Sequence, residues 1–123
     1  MSLGPAILKT LRVGARGMRK LLQSELAAWM HLAVMAATIL LGVLVGIGRD
    51  EWLWLIAAMA MVWAAEAFNT AIEKLADCIT LEQDERIGAA KDIAAGGVMI
   101  VVVAALLIGA LIFIPHVTAS LAL

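Results

Sequence analysis

Cysteine is nearly missing from this 123-residue chain. Cys78 stands alone, so no intrachain disulfide can form, and nothing around it suggests a metal cluster or redox pair; it is read as a packing residue. Charge is scarce as well: 15% of residues are charged, the formal net charge is -1, and 64% are hydrophobic, against roughly half in a soluble domain. Three stretches almost lack charge. Residues 27–48 hold only His31 as an ionisable group, 52–65 hold none, and 93–114 hold none. A cleavable signal is also missing, because residues 1–26 have no unbroken apolar core and carry Lys9, Arg12, Arg16, Arg19 and Lys20. No internal repeat or low-complexity tract is present.

What remains is a membrane protein by composition. A hydrocarbon core of about 30 Å needs about 20 helical residues, so the expected spans are 27–48, 52–76 and 93–114. Residues 5–22 form a different kind of helix: Ile7, Leu8, Leu11, Ala15, Met18 and Leu22 share one face and the five cations the other, which suits the headgroup boundary. Gly14 and Gly17 weaken it. The expectation is a single all-α domain over 1–123, an amphipathic interfacial helix followed by three transmembrane helices. Five of the nine cations precede the first span, whereas the turn "GIGRDEW" offers only Arg49, so the N-terminus is expected in the cytoplasm. The connection from Asp77 to Asp92 then also faces the cytoplasm and reads as a solvated loop or partly helical turn, and "PHVTASLAL" lies outside. "GVLVG" from Gly42 to Gly46 and "AAGG" read as sites of close helix contact.

Against this background "AAEAFNTAIEKLADCI", residues 64–79, is anomalous. On a helix Glu66, Asn69, Thr70, Glu73 and Asp77 fall within one stripe, with Glu66 about 10 Å deeper than Glu73. A carboxylate at bilayer depth costs about 3 kcal/mol even on the lenient insertion scale, so such groups need a metal, a lysine or water beside them. A structural polar network is the plain alternative for Lys74 and Asp77, close to the headgroups. Antiparallel threading brings Glu25, and Lys91 with Asp92, to the level of Glu73. Two facing carboxylates suit Mg²⁺, and a lysine suits a phosphate as a point charge. No GxxxxGK[ST], kinase Gly-rich loop or Rossmann fingerprint is present. His31 is expected to hydrogen-bond near the cytoplasmic headgroups, and His116 lies on the far side, away from the cluster.

"EAFNTAIEKLAD" followed fourteen residues after Asp77 by "KDIAAGGVMI" resembles the signature of the prokaryotic diacylglycerol kinase and undecaprenol kinase family of small membrane lipid kinases. The resemblance extends to the basic N-terminal helix, the acid before the first span and the three spans. It implies that Glu66 is the general base toward a lipid hydroxyl with Asn69 supporting it, that Glu25 and Glu73 hold the divalent metal bridging ATP phosphates, and that Lys91 neutralises the transferred phosphoryl group. Asp77 and Asp92 would contact the nucleotide or its network, and Glu82 and Asp84 would line it from the loop. It also implies a homotrimer with composite sites in the bacterial inner membrane.

Several positions depart from or refine the pattern. Trp29-Met30 stand where most relatives read F-R, Glu82-Gln83-Asp84 stand where they read E-Y-H, and His31 and Lys74 match the undecaprenol kinase branch. The expected activity is ATP- and Mg-dependent phosphorylation of a membrane alcohol, diacylglycerol first and undecaprenol as the alternative. A small ion-coupled oligomeric transporter using the same acidic stripe, and a structural subunit in which the stripe only glues helices, are the rivals from other classes.

Overall fold

The computed structural model describes residues 3–122; Met1, Ser2 and Leu123, included in the single-domain expectation, lie outside the described residues. These residues form four helices and no strand: α1 Leu3–Ser24, α2 Leu26–Val45, α3 Arg49–Ile79 and α4 Glu85–Leu121. Of these, α2, α3 and α4 are long and apolar enough to cross a membrane.

The boundaries follow from local chemistry. α1 runs unbroken through Gly14 and Gly17, where an added Cβ would meet nothing, so neither glycine marks a break or a close approach. It gives way to α2 at an elbow whose dangling carbonyls are taken up locally: the Trp29 indole N–H donates to Leu22 O at 2.8 Å and the Glu25 N–H to Leu21 O at 3.2 Å. α2 stops at Gly46, which adopts φ 71° and donates its N–H to Gly42 O, a left-handed C-terminal cap that glycine alone takes without strain. The two glycines of "GVLVG" therefore do different jobs. Gly42 is buried beneath Trp52, where a Cβ would come within 2.8 Å of the indole, whereas Gly46 ends the helix.

The cytoplasm-facing connection expected between Asp77 and Asp92 is mostly helical, because α3 runs to Ile79 and α4 begins at Glu85. Asp84 starts α4, its carboxylate accepting from the N–H groups of Arg86 at 2.9 Å and Ile87 at 3.2 Å. α4 also continues past Pro115 to Leu121, beyond the span expected to close at 114. Pro115 offers no N–H to the preceding turn. That leaves Leu111 O without its usual helical donor, yet α4 continues, and beyond the proline His116 is tied to α3 through Glu51.

α3 and α4 pack along their length as an antiparallel pair, while the other helix pairs meet only locally. Two polar contacts fix the register. Lys91 Nζ meets Asp77 Oδ1 at 3.0 Å near one end, and His116 Nε2 meets both carboxylate oxygens of Glu51 at 3.0 Å near the other. The partners lie 26 residues apart on α3 and 25 on α4, so one register accommodates both contacts. Beside the Glu51 end sits the apolar core of Ile47, Leu55 and Ile112, flanked by Trp52, Met59 and Phe113. In lipid such a cluster gains through close van der Waals packing, since the surrounding acyl chains are as apolar as leucine. The large outward-facing Leu, Ile and Val side chains of α2 and α4, including Leu44, Ile100 and Leu111, suit that solvent.

Candidate active site

The acidic stripe lies on the half of α3 distant from that apolar core. Glu66 and Thr70 are the polar residues the fold buries, at 7% and 4% exposure. The small residues around them, Ala65, Ala67 and Ala71, add no bulk between Glu66 and neighbouring helices. The ion-pair partner of Glu66 among the described residues is His31 of α2, whose Nε2 lies 3.4 Å from Oε2. Trp63, one turn earlier on α3, meets the same imidazole edge-on with ring centroids 6.3 Å apart.

One turn farther along α3, Asn69 donates from Nδ2 to Glu73 Oε1 at 3.5 Å, a long contact. Its Oδ1 is buried with no partner among the described residues. An orphaned amide oxygen next to a carboxylate is a pair of hard acceptors, short of a donor or a cation. Glu25 stands half-buried at the α1–α2 elbow, with no side-chain cap bond and no direct bond to Glu73 among the described residues. Nor do three or more His, Cys, Asp or Glu side chains gather at metal-holding distance among those residues. Within one chain, therefore, a cation has one or two carboxylates and the Asn69 carbonyl to bind.

Farther along the stripe, Asp77 holds Lys91 in the ion pair described above, both side chains partly exposed. Beside that pair the turn between α3 and α4 borders an open cavity of about 570 Å³ lined by Asp77, Thr80, Glu82, Asp84 and Lys91 among others. The loop is held in shape by the Thr80 hydroxyl, which accepts from the Glu82 N–H at 3.0 Å, and by the Asp84 cap. The amides of Ile87 and Arg86 hold the Asp84 carboxyl below its ordinary value. Asp92 is exposed and stands clear of the cavity wall.

The fold thus joins the sequence candidates into three sets: Glu66 with His31, Asn69 with Glu73, and Asp77 and Lys91 with Glu82 and Asp84 around the cavity. Glu25 and Asp92 stay at the margins. His31 meets the Glu66 carboxylate of a neighbouring helix, a partner the sequence alone did not name; the missing signal was the α2–α3 register. His116 does lie at the opposite end from the cluster, but bonded to Glu51, a partnership that needs α4 to persist beyond Pro115.

Chemically, the arrangement offers a buried carboxylate able to accept a proton, hard oxygen acceptors one and two turns along the helix from it, and a cation beside a polar cavity at the α3–α4 turn. Residues 12–113 match the family model described as prokaryotic diacylglycerol kinase. The chain is also similar to the undecaprenol kinase of Bacillus subtilis (strain 168), 35% identical over 100 residues that cover 81% of each chain.

Proposed function

The chain belongs to the prokaryotic diacylglycerol kinase family, it is a membrane phosphotransferase with an alcohol acceptor, and we propose that it phosphorylates undecaprenol at the expense of ATP. The observation that carries the reading is Glu66: a carboxylate buried within a helix long enough to cross a membrane, on a stripe that leads to a lysine and a polar cavity at the α3–α4 turn. A lipid hydroxyl reaches that carboxylate from the bilayer, and a nucleotide reaches the cavity from water. The choice of a polyprenol acceptor rests on the similarity to undecaprenol kinase. Diacylglycerol, which the sequence reading put first, is the second reading and draws on the family's description.

In the proposed reaction Glu66 takes the proton of the lipid hydroxyl. The hydroxyl oxygen bonds to the γ-phosphorus as the bond from that phosphorus to the β,γ-bridging oxygen breaks, and the electron pair leaves with ADP. Asn69 supports the same site. Lys91 exchanges its Asp77 partner for phosphate oxygens and offsets the charge that develops on them. Asp77, Glu82 and Asp84 line the nucleotide's cavity, and Asp92 contributes from its outer edge. Glu25 and Glu73 would hold Mg²⁺, and the unpartnered Asn69 Oδ1 fits the same oxygen-rich demand. Held there, Mg²⁺ would supply compensation for the negative charge of the phosphates.

The whole chain, 1–123, acts in this reading as one lipid-kinase domain of the bacterial inner membrane. Its N-terminus and site face the cytoplasm, and the basic face of α1 rests on the anionic headgroups. A homotrimer with sites shared between subunits completes the walls that three membrane helices cannot close alone.

The test offers undecaprenol and diacylglycerol together in mixed micelles with ATP labelled at the γ-phosphate. Label in undecaprenyl phosphate in excess is the expected outcome. Preferential labelling of phosphatidic acid would replace the acceptor, and labelling of neither would remove the activity. Glu66→Gln is expected to lose at least about a hundred-fold in kcat.

A further inference from the structure

Glu66 poses a problem that its own helix does not solve. Among the described residues no lysine or arginine touches it; the neighbour within ion-pair distance is the His31 imidazole, reaching across from α2. Buried charge without a partner is costly in hydrocarbon, and a buried carboxylate without a fixed hydrogen bond also has several orientations open to it. Trp63 bears edge-on against the His31 ring, limiting the directions the imidazole takes. α2 and α3 meet only locally, so this contact is a specific tie between two otherwise loosely packed helices.

We propose that His31 is the positioning residue of Glu66: its Nε2, 3.4 Å from Oε2, holds the carboxylate turned toward the lipid hydroxyl. An ionised carboxylate only accepts, so Nε2 is the nitrogen that bears the proton. At 3.4 Å the contact is longer than an ordinary hydrogen bond, as such pairs commonly are before substrate arrives. His31 itself touches neither lipid nor phosphate in this scheme. Its influence is on the geometry of its neighbour, and so on turnover more than on substrate binding. This inference rests on the reading of Glu66 as the proton acceptor.

Two substitutions separate a hydrogen-bonding role from a space-filling one. His31→Phe keeps a ring against Trp63 and removes the donor; His31→Gln abandons the ring and keeps an N–H. Both are assayed with Glu66→Gln, for kcat and for the KM of ATP and of lipid. His31→Phe is expected to lose about a hundred-fold in kcat with both KM values within about two-fold of the parent's, the scale set by misorienting a reacting group. His31→Gln is expected to recover about a tenth or more of parental turnover. Undiminished kcat in His31→Phe, or His31→Gln no better than His31→Phe, overturns the proposal. If Glu66→Gln is inactive while His31→Phe is fully active, this inference alone falls; if Glu66→Gln is as active as the parent, the base assignment beneath it falls too.

Discussion

Asp84 illustrates how a single side chain sets the edge of the polar cavity. Its carboxylate closes the first turn of α4, and the amides of Ile87 and Arg86 lower its value relative to the unfolded chain. A carboxyl shifted in that direction stabilises the fold at any pH above its unfolded value, about 3.9, and stops doing so as pH falls through the folded value. The amide protons of Arg86 and Ile87 should thus keep their protection from exchange at neutral pH and lose it under acid conditions. In Asp84→Asn, whose amide oxygen caps without a charge, that acid-induced loss should vanish; equal loss in both proteins would assign the effect elsewhere. The acidic stripe itself was legible from spacing alone, because Glu66, Asn69 and Glu73 lie on one helix and helical geometry dictates who shares a face. Partnerships between helices were not. His31 with Glu66 and His116 with Glu51 depend on axial offsets that no periodicity within one segment encodes.

Among the helices, the spans were readable because hydrocarbon thickness imposes a length and excludes charge, and both constraints act residue by residue along the sequence. Their ends were less so. α4 outruns Pro115 at the loss of a single bond to Leu111 O, with His116 just beyond it anchored on the Glu51 carboxylate, so the proline signal by itself misplaces the helix end. The two glycines closing α2 make a sharper case, since the same five-residue motif contains a packing site and a terminator. Gly46→Ala forces a side chain into the left-handed region and should cost about 1 kcal/mol. Gly42→Ala drives a methyl against the Trp52 indole, an overpacking error worth about 1–3 kcal/mol. Pairing Gly42→Ala with Trp52→Phe should recover most of that loss, whereas Gly46→Ala should be indifferent to residue 52; thermal unfolding in a fixed detergent measures all four proteins.

For the assembled enzyme, the large apolar faces left uncovered by one chain are available to lipid and to sister subunits alike. If sites are shared between subunits, two inactive proteins carrying Glu66→Gln and Lys91→Ala should regain activity when unfolded together and reassembled as mixtures, as a mixed assembly can hold one intact combination. Activity no greater than that of the separate variants would assign both residues to one chain's own site. The antiparallel register that joins α3 and α4 has a further meaning at this scale. Its two polar fastenings, separated by 26 residues on α3, are about 38 Å apart along the helix axis, close to the distance from one headgroup layer to the other. The hairpin is in effect a gauge cut to one bilayer. Lipids with markedly shorter tails would leave its apolar middle wetted, and longer tails would drag an ion pair into oil, so the acyl length of the host membrane becomes a variable to which this protein is tuned.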